Sequence, residues 1–557
     1  MLDKINKLVF YKILFFSTGY ISLLFTNLFY MSTISPDFNR YKLYLYYFFG
    51  EQTDFLPEQG FIYFFIISLF CKLQIQYTDG DFETLMNGVG NQVNFNYSSI
   101  SSFENKIHLG IQYGNFVIFM FGIFGIYQLL KVRKTNLVSI YKILTIVLIL
   151  PLSFQLRLTM KPEILAFAIL PFVILFYEKY LSNKNIYNLT GLVLTTSVIL
   201  TLKASITGMI LMIIFLKLFA DFKKIALKEI TKFILLTVLV VGAIGYENYS
   251  ISNYSMFDRS ELSSYFDQNE YDNRAAPKVI VNINAQDLIL NPSKNFHADS
   301  LIGITLIDTF GDYFNEYWNK DYTFLKTYRK QFIQKGNNFY LDIEENILTI
   351  PLSTFNLEKI RSLIGLILST VFYIKIIKRF KKNSFDKIYI LSPLIGIFVL
   401  ILSSMGFPEN NFNPDTGDTF KAYYYSFFSI ISISLLLQNY YKNKNLSFPK
   451  ILTYILIIFF LIGFPKENNT QLDNQLYIQN SYTITCSFDK NLIDLLVIEK
   501  FDYDCIDRGK IQNPSIKISN LPFINISFFV AMLVIIMKSY LNKKYIKDFL
   551  KSLNIFQ

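Results

Sequence analysis

The chain has 557 residues, of which 52% are hydrophobic and only 17% charged. That is too apolar for a soluble protein of this size, and the apolar residues fall in runs long enough to cross a bilayer. The net charge of +11 needs no nucleic acid. Its cations gather beside apolar runs, as in Lys375-Ile376-Ile377-Lys378-Arg379-Phe380-Lys381-Lys382, where they would face anionic lipid.

Twelve apolar runs predict spanning helices near 10–31, 110–130, 138–155, 161–181, 187–203, 205–220, 230–249, 360–377, 387–405, 421–438, 450–465 and 523–541. The first run is too long for a cleaved signal and lacks a small-residue cleavage site after it, so it reads as a retained helix. Lys4 and Lys7 place the N-terminus in the cytoplasm, and Lys131, Arg133 and Lys134 place the end of the second helix there too. Two cytoplasmic ends require an even number of crossings between them. The apolar segment 60–76 therefore does not cross; it lies at the outer interface or dips partway in. The run at 205–220 is short enough to be a re-entrant or broken helix instead. Both termini are expected in the cytoplasm.

This topology divides the chain into a membrane module at 1–249 that includes an outer loop at 32–109, an outer loop at 250–358, and membrane helices at 360–465. A second outer loop at 466–522 and a last helix with a basic cytoplasmic tail at 523–557 follow. No solenoid repeat is visible. The outer regions are large and the cytoplasmic loops short and free of a Gly-rich phosphate loop, so chemistry is expected on the outer face. Cys486 and Cys505 share the last outer loop, where a thiol pair can persist as a disulfide; two separate thiols are the alternative. Cys71 reads as a small buried hydrophobe. The chain has only two histidines, His108 and His297, without paired ligand spacing, so neither a metal site nor a cofactor is predicted. A carboxylate-bound divalent cation stays open.

Four stretches carry candidate chemistry. In Ser35-Pro36-Asp37-Phe38-Asn39-Arg40-Tyr41 the carboxylate of Asp37 leaves the first membrane helix and is either a general base or a solvated loop residue. Arg157-Leu158-Thr159-Met160-Lys161-Pro162-Glu163 joins the third and fourth helices on the outer side. Glu163 there is a second acid or a helix cap, and Arg157 and Lys161 bind phosphate or snorkel to headgroups. Lys203, between two apolar runs, is a phosphate ligand or an interfacial anchor. Asp415-Thr416-Gly417-Asp418-Thr419-Phe420-Lys421-Ala422-Tyr423-Tyr424-Tyr425 opens the tenth helix. Lys421 there is within reach of a phosphate, and the tyrosines form an interfacial belt or a sugar-stacking surface. In the loop 250–358, Asp308-Thr309-Phe310-Gly311-Asp312 and the single tryptophan, Trp318, suit sugar recognition or packing onto the bilayer.

Asp37 and Tyr41, then Gly50-Glu51, then Pro57-Glu58-Gln59-Gly60-Phe61-Ile62-Tyr63, then the Arg157–Glu163 turn follow an order that resembles membrane glycosyltransferases of the GT-C type, such as the protein O-mannosyltransferases and aminoarabinose transferases. The resemblance covers roughly residues 1–250 by motif and the remainder by architecture. It implies an all-α polytopic membrane protein of twelve transmembrane helices, with an outer-face juxtamembrane helical loop and a mixed outer loop domain. It implies a sugar donor on a polyprenyl phosphate and a glycan, lipid or protein acceptor. Asp37 would be the base and Glu163 the second acid; Arg157, Lys161, Lys203 and Lys421 would hold the donor phosphate. Arg40, Tyr41, Glu58, Gln59, Tyr63 and Asp418 would bind substrate. The location expected is a bacterial inner membrane with the site on its outer face. The chain departs from the pattern where Phe38 follows Asp37, because relatives often carry an Asp-Glu pair there. A polysaccharide polymerase or ligase of the O-antigen type, and a transporter or flippase, are the alternative readings.

Overall fold

The computed structural model describes residues 2–29, 41, 44–45, 48, 60–78, 97–222, 225–252, 285–290, 300–310, 324–335, 338–349, 352–380, 387–404, 422–443 and 447–462. The predicted helix at 523–541 and the outer loop at 466–522 with Cys486 and Cys505 lie outside them, as does most of the loop at 32–109.

The described chain is predominantly helical. In order, the helices of the first half are α1 (Leu2–Phe29), α2 (Phe61–Thr78), α3 (Tyr97–Val132), α4 (Leu137–Leu148), α5 (Pro151–Leu158), α6 (Glu163–Ser182), α7 (Ile186–Leu200), α8 (Ala204–Ala220) and α9 (Leu227–Ser252). The second half holds α10 (Ala285–Leu290), α11 (Leu301–Asp308), α12 (Leu352–Phe380), α13 (Lys387–Ser404), a 3-10 turn at Ala422–Tyr425, α14 (Ser426–Lys442) and α15 (Ser447–Ile462). An antiparallel hairpin, β1 (Phe324–Lys335) and β2 (Asn338–Thr349), sits between α11 and α12, with Phe324 opposite Thr349 and Lys335 opposite Asn338.

Among the described residues two helices are long and apolar enough to cross a membrane: α6, and α3 over Leu109–Val132. A third candidate is broken. The run expected as one helix at 138–155 is two, α4 and α5, bent by 63°. Pro151 explains the break. It has no N–H to continue the ladder, and its ring pushes Leu150 into extended backbone (φ −66°, ψ 136°) while opening α5 at its first position. By contrast α8, short enough to suggest a broken segment, is one uninterrupted helix of 17 residues. At 1.5 Å per residue it rises about 25 Å, just under the thickness of a hydrocarbon core.

Local signals fix the helix ends. Asn136 and Asn185 cap α4 and α7 by accepting from the backbone N–H of Val138 and Asn188. α3 ends in a left-handed residue, Lys134 (φ 56°), with Thr135 N–H bonded to Leu130 C=O and Lys134 N–H to Lys131 C=O.

α6 is the hub, packing on α3, α7 and α14. α3 runs 36 residues, and α2 lies antiparallel along its first half. Tyr63 meets Asn115, Ile67 meets Gly114 and Cys71 meets Gly110. A Cβ on Gly110 would stand 2.6 Å from the Cys71 Cα, so only a bare backbone permits this approach. Cys71 is fully buried there, as expected. At the far end of α3, Arg133 pairs with Glu178 of α6, and its guanidinium also reaches Gln438 of α14. Gln438 in turn donates to Thr135 Oγ1.

Candidate functional site

The turn between α5 and α6 carries three ionisable side chains, Arg157, Lys161 and Glu163, and all three are buried. Its backbone leaves helical geometry at Thr159 (φ −91°, ψ 137°) and re-enters through Pro162 (φ −65°). Carbonyls freed by such a turn need partners in an apolar setting. Asn115 of α3 supplies them: its amide N–H groups donate to the carbonyls of Arg157 (2.8 Å) and Thr159 (2.9 Å). Its oxygen accepts from Tyr63 O–H at 2.9 Å.

The segment before Tyr63 meets the same turn. Gly60 has φ +69°, a conformation that favours glycine, and a Cβ there would stand 3.2 Å from the Pro162 ring. Burial, and after it the nearby Glu163 charge, holds the Tyr63 phenol well above its ordinary pKa, so it stays a donor. Tyr41 is buried against this unit, its ring 5.0 Å from that of Phe64 and 5.7 Å from that of Tyr44.

The cations have distinct surroundings. The Arg157 guanidinium lies 4.4 Å from the Phe154 ring, 5.2 Å from Phe119 and 6.0 Å from Phe116, and its Nε donates to Ser153 C=O. Lys161 Nζ is 5.8 Å from the Tyr423 ring, whose hydroxyl is 2.7 Å from Thr159 Oγ1. Lys203 precedes α8 and sends Nζ to 3.1 Å from Glu163 Oε1 and 4.6 Å from the Tyr424 ring. Glu163 Oε2 has no hydrogen-bond partner among the described residues.

α11 also reaches this region. Thr309 and Asp308, at the end of α11, are buried, and Thr309 Oγ1 is 2.9 Å from Tyr373 O–H of α12. Tyr373 donates on to Tyr425 at 3.4 Å. Two expectations change here. Tyr423 and Tyr425 are not an interfacial belt: both are buried and hydrogen-bonded, because the 3-10 turn points them into the helix assembly. Arg157 and Lys161 do not snorkel; they point inward among rings.

Sequence reading thus singled out Tyr41, Tyr63, Arg157, Lys161, Glu163 and Lys203, and these lie on one connected set of elements. It missed Asn115 and Tyr373. A polar amide in the apolar run 110–130 was the available signal for the first; Tyr373 offered none. Asp37, Arg40, Glu58, Gln59, Asp418 and Lys421 lie outside the described residues. No group of three or more His, Cys, Asp or Glu able to hold a metal occurs among the described residues. Comparison with protein-family models, with curated proteins and with solved structures finds no match, so any assignment of activity rests on this chain's own residues.

Proposed function

We propose that this protein is a membrane glycosyltransferase that moves a sugar from a polyprenyl-phosphate donor to an acceptor on the outer face of a bacterial inner membrane. The supporting observation is the meeting of the Gly60–Tyr63 segment with the Arg157–Glu163 turn. These are two of the stretches on which the GT-C resemblance rests, about a hundred residues apart in the chain and joined through Asn115 and Pro162. Twelve spanning helices, with both termini inside, complete the architecture of this reading.

In the reaction, Asp37 takes the proton of the acceptor hydroxyl as its oxygen attacks the anomeric carbon. The bond from that carbon to the phosphate oxygen breaks, and polyprenyl phosphate leaves with inversion. Lys161, Lys203 and Lys421 receive the leaving charge, with Arg157 behind them. A cation kept among rings is poorly hydrated, which strengthens its pull on a phosphate, while the Glu163 carboxylate holds Lys203 in place. The open oxygen of Glu163 accepts from a sugar or acceptor hydroxyl. Arg40, Tyr41, Glu58, Gln59, Tyr63 and Asp418 line the substrate path.

The test is purified protein with a panel of polyprenyl-phosphate sugars, wild type against Asp37→Asn. The expected result is one accepted donor and a loss of transfer of about 100-fold or more in the variant. Undiminished glycan formation by a normally accumulating Asp37→Asn protein would overturn the assignment and favour a polysaccharide polymerase, which works without an acid after the first helix.

A further inference from the structure

The dipeptide Tyr-Lys recurs on three helices that meet at the end of the assembly holding the Arg133–Glu178 pair: Tyr11-Lys12 on α1, Tyr141-Lys142 on α4 and Tyr441-Lys442 on α14. α4 packs on both of the others. The first two pairs are crossed. Lys142 Nζ lies 4.5 Å from the centre of the Tyr11 ring, and Lys12 Nζ lies 5.8 Å from that of Tyr141. The Tyr441 ring joins them, 5.8 Å from Lys142 Nζ.

An interfacial lysine ordinarily snorkels outward to water. Lys12 and Lys142 instead reach across to the ring of a neighbouring helix, and both are half-buried. A ring face attracts a cation but brings no charge to cancel it. α4 and α14 hold no acidic residue, and the one on α1, Asp3, lies nine residues before Lys12. Among the described residues no carboxylate is within ion-pair distance of either lysine. Two partly dehydrated cations on facing helices repel each other until an anion joins them.

The depth suits a lipid phosphate. Lys142 is five residues into α4, about 7.5 Å of rise from its start at Leu137, which is headgroup depth rather than bulk solvent. Ile13 and Leu14 of α1 and Leu137 of α4 are exposed beside the lysines, a surface on which acyl chains can lie.

We propose that the crossed Tyr-Lys pairs of α1 and α4, with Tyr441, bind the phosphate of an anionic phospholipid in the leaflet at this end of the helices. The phenol hydroxyls supply further donors to its oxygens. The inference rests on membrane embedding and not on the transferase chemistry. Glu163 opens α6, whereas Glu178, which marks the end discussed here, lies fifteen residues further along it, a rise of about 22 Å.

The test strips the full chain of lipid in mild detergent, adds phosphatidylglycerol, phosphatidylethanolamine or inorganic phosphate, and weighs the protein intact by native mass spectrometry. Wild type is expected to retain phosphatidylglycerol in preference to phosphatidylethanolamine, and inorganic phosphate is expected not to displace it. Lys12→Gln with Lys142→Gln should cut bound phosphatidylglycerol about tenfold or more. Tyr11→Leu with Tyr141→Leu, which keeps both charges, should cut it about threefold. Lys131→Gln with Lys184→Gln removes the same charge from exposed positions at the same end and should leave binding unchanged. A second readout needs no variant: phosphatidylglycerol with a diazirine on its headgroup should label wild-type peptides containing Tyr11-Lys12 and Tyr141-Lys142. Equal retention of the two lipids, displacement by inorganic phosphate, full binding by the Lys12/Lys142 variant, equal loss in the Lys131/Lys184 variant, or labelling away from both peptides would each overturn the proposal.

Discussion

Lys203 Nζ and Glu163 Oε1 are 3.1 Å apart, although forty residues separate them in the chain. The contact ties the start of α8 to the first residue of α6, and Glu163 is completely buried in it. Removing one partner of such a pair leaves the other charge uncompensated, at a cost of about 3–5 kcal/mol, whereas removing both costs far less. Glu163→Gln and Lys203→Met should each lower the melting temperature of the detergent-solubilised protein, and the double variant should recover part of the loss. Transfer activity, in the proposed function, should fall in all three. Additive losses in melting temperature would show that the pair is not a structural unit.

Asn115 makes three hydrogen bonds, two of them to the Arg157–Lys161 turn, so Asn115→Leu takes the amide donor from the Arg157 carbonyl, strands the Tyr63 hydroxyl and leaves Thr159 C=O to Lys161 N–H alone. Each stranded group costs about 1–3 kcal/mol, while Tyr63→Phe removes only a donor worth about 1 kcal/mol. The order of melting temperatures should be wild type, then Tyr63→Phe, then Asn115→Leu. An Asn115→Leu protein as stable as Tyr63→Phe would mean the turn holds itself.

Gly110→Leu should lift α2 away from α3, because the smallest side chain already collides with the Cys71 backbone. In a background with Cys486→Ser and Cys505→Ser, Cys71 is the only thiol. It should resist maleimide in the folded protein and become reactive in Gly110→Leu, as read by mass shift. Equal protection in both would place α2 elsewhere.

The proposed orientation predicts opposite labelling at two positions. Gln52→Cys should react with a membrane-impermeant maleimide in intact cells. Asn183→Cys, in the exposed link between α6 and α7, should react only after permeabilisation. The reverse pattern would invert the topology.

Hydropathy located α6, α7, α8, α13 and α14 to within a few residues, because a continuous apolar run leaves few other options. It merged α4 with α5, since apolar content does not register what Pro151 does to the backbone. The Lys203–Glu163 pair was not legible: each residue alone is an ordinary helix-end charge, and only tertiary packing puts them in contact. Tyr423 and Tyr425 show the same limit. Tyrosine suits both a wet interface and a hydrogen-bonded interior, so composition did not choose between them. Asn115 was legible in principle, as an amide where hydrocarbon was expected.

α3 has a mechanical consequence. Asn115 and Arg133 sit eighteen residues apart on one unbroken rod and its cap, about 27 Å of rise with no proline between them. A rod of that kind passes rotation along instead of absorbing it, unlike the jointed α4–α5 pair. The Arg133–Glu178 pair at one end and the Asn115 grip on the carbonyls of Arg157 and Thr159 at the other are therefore held at a fixed spacing along α3.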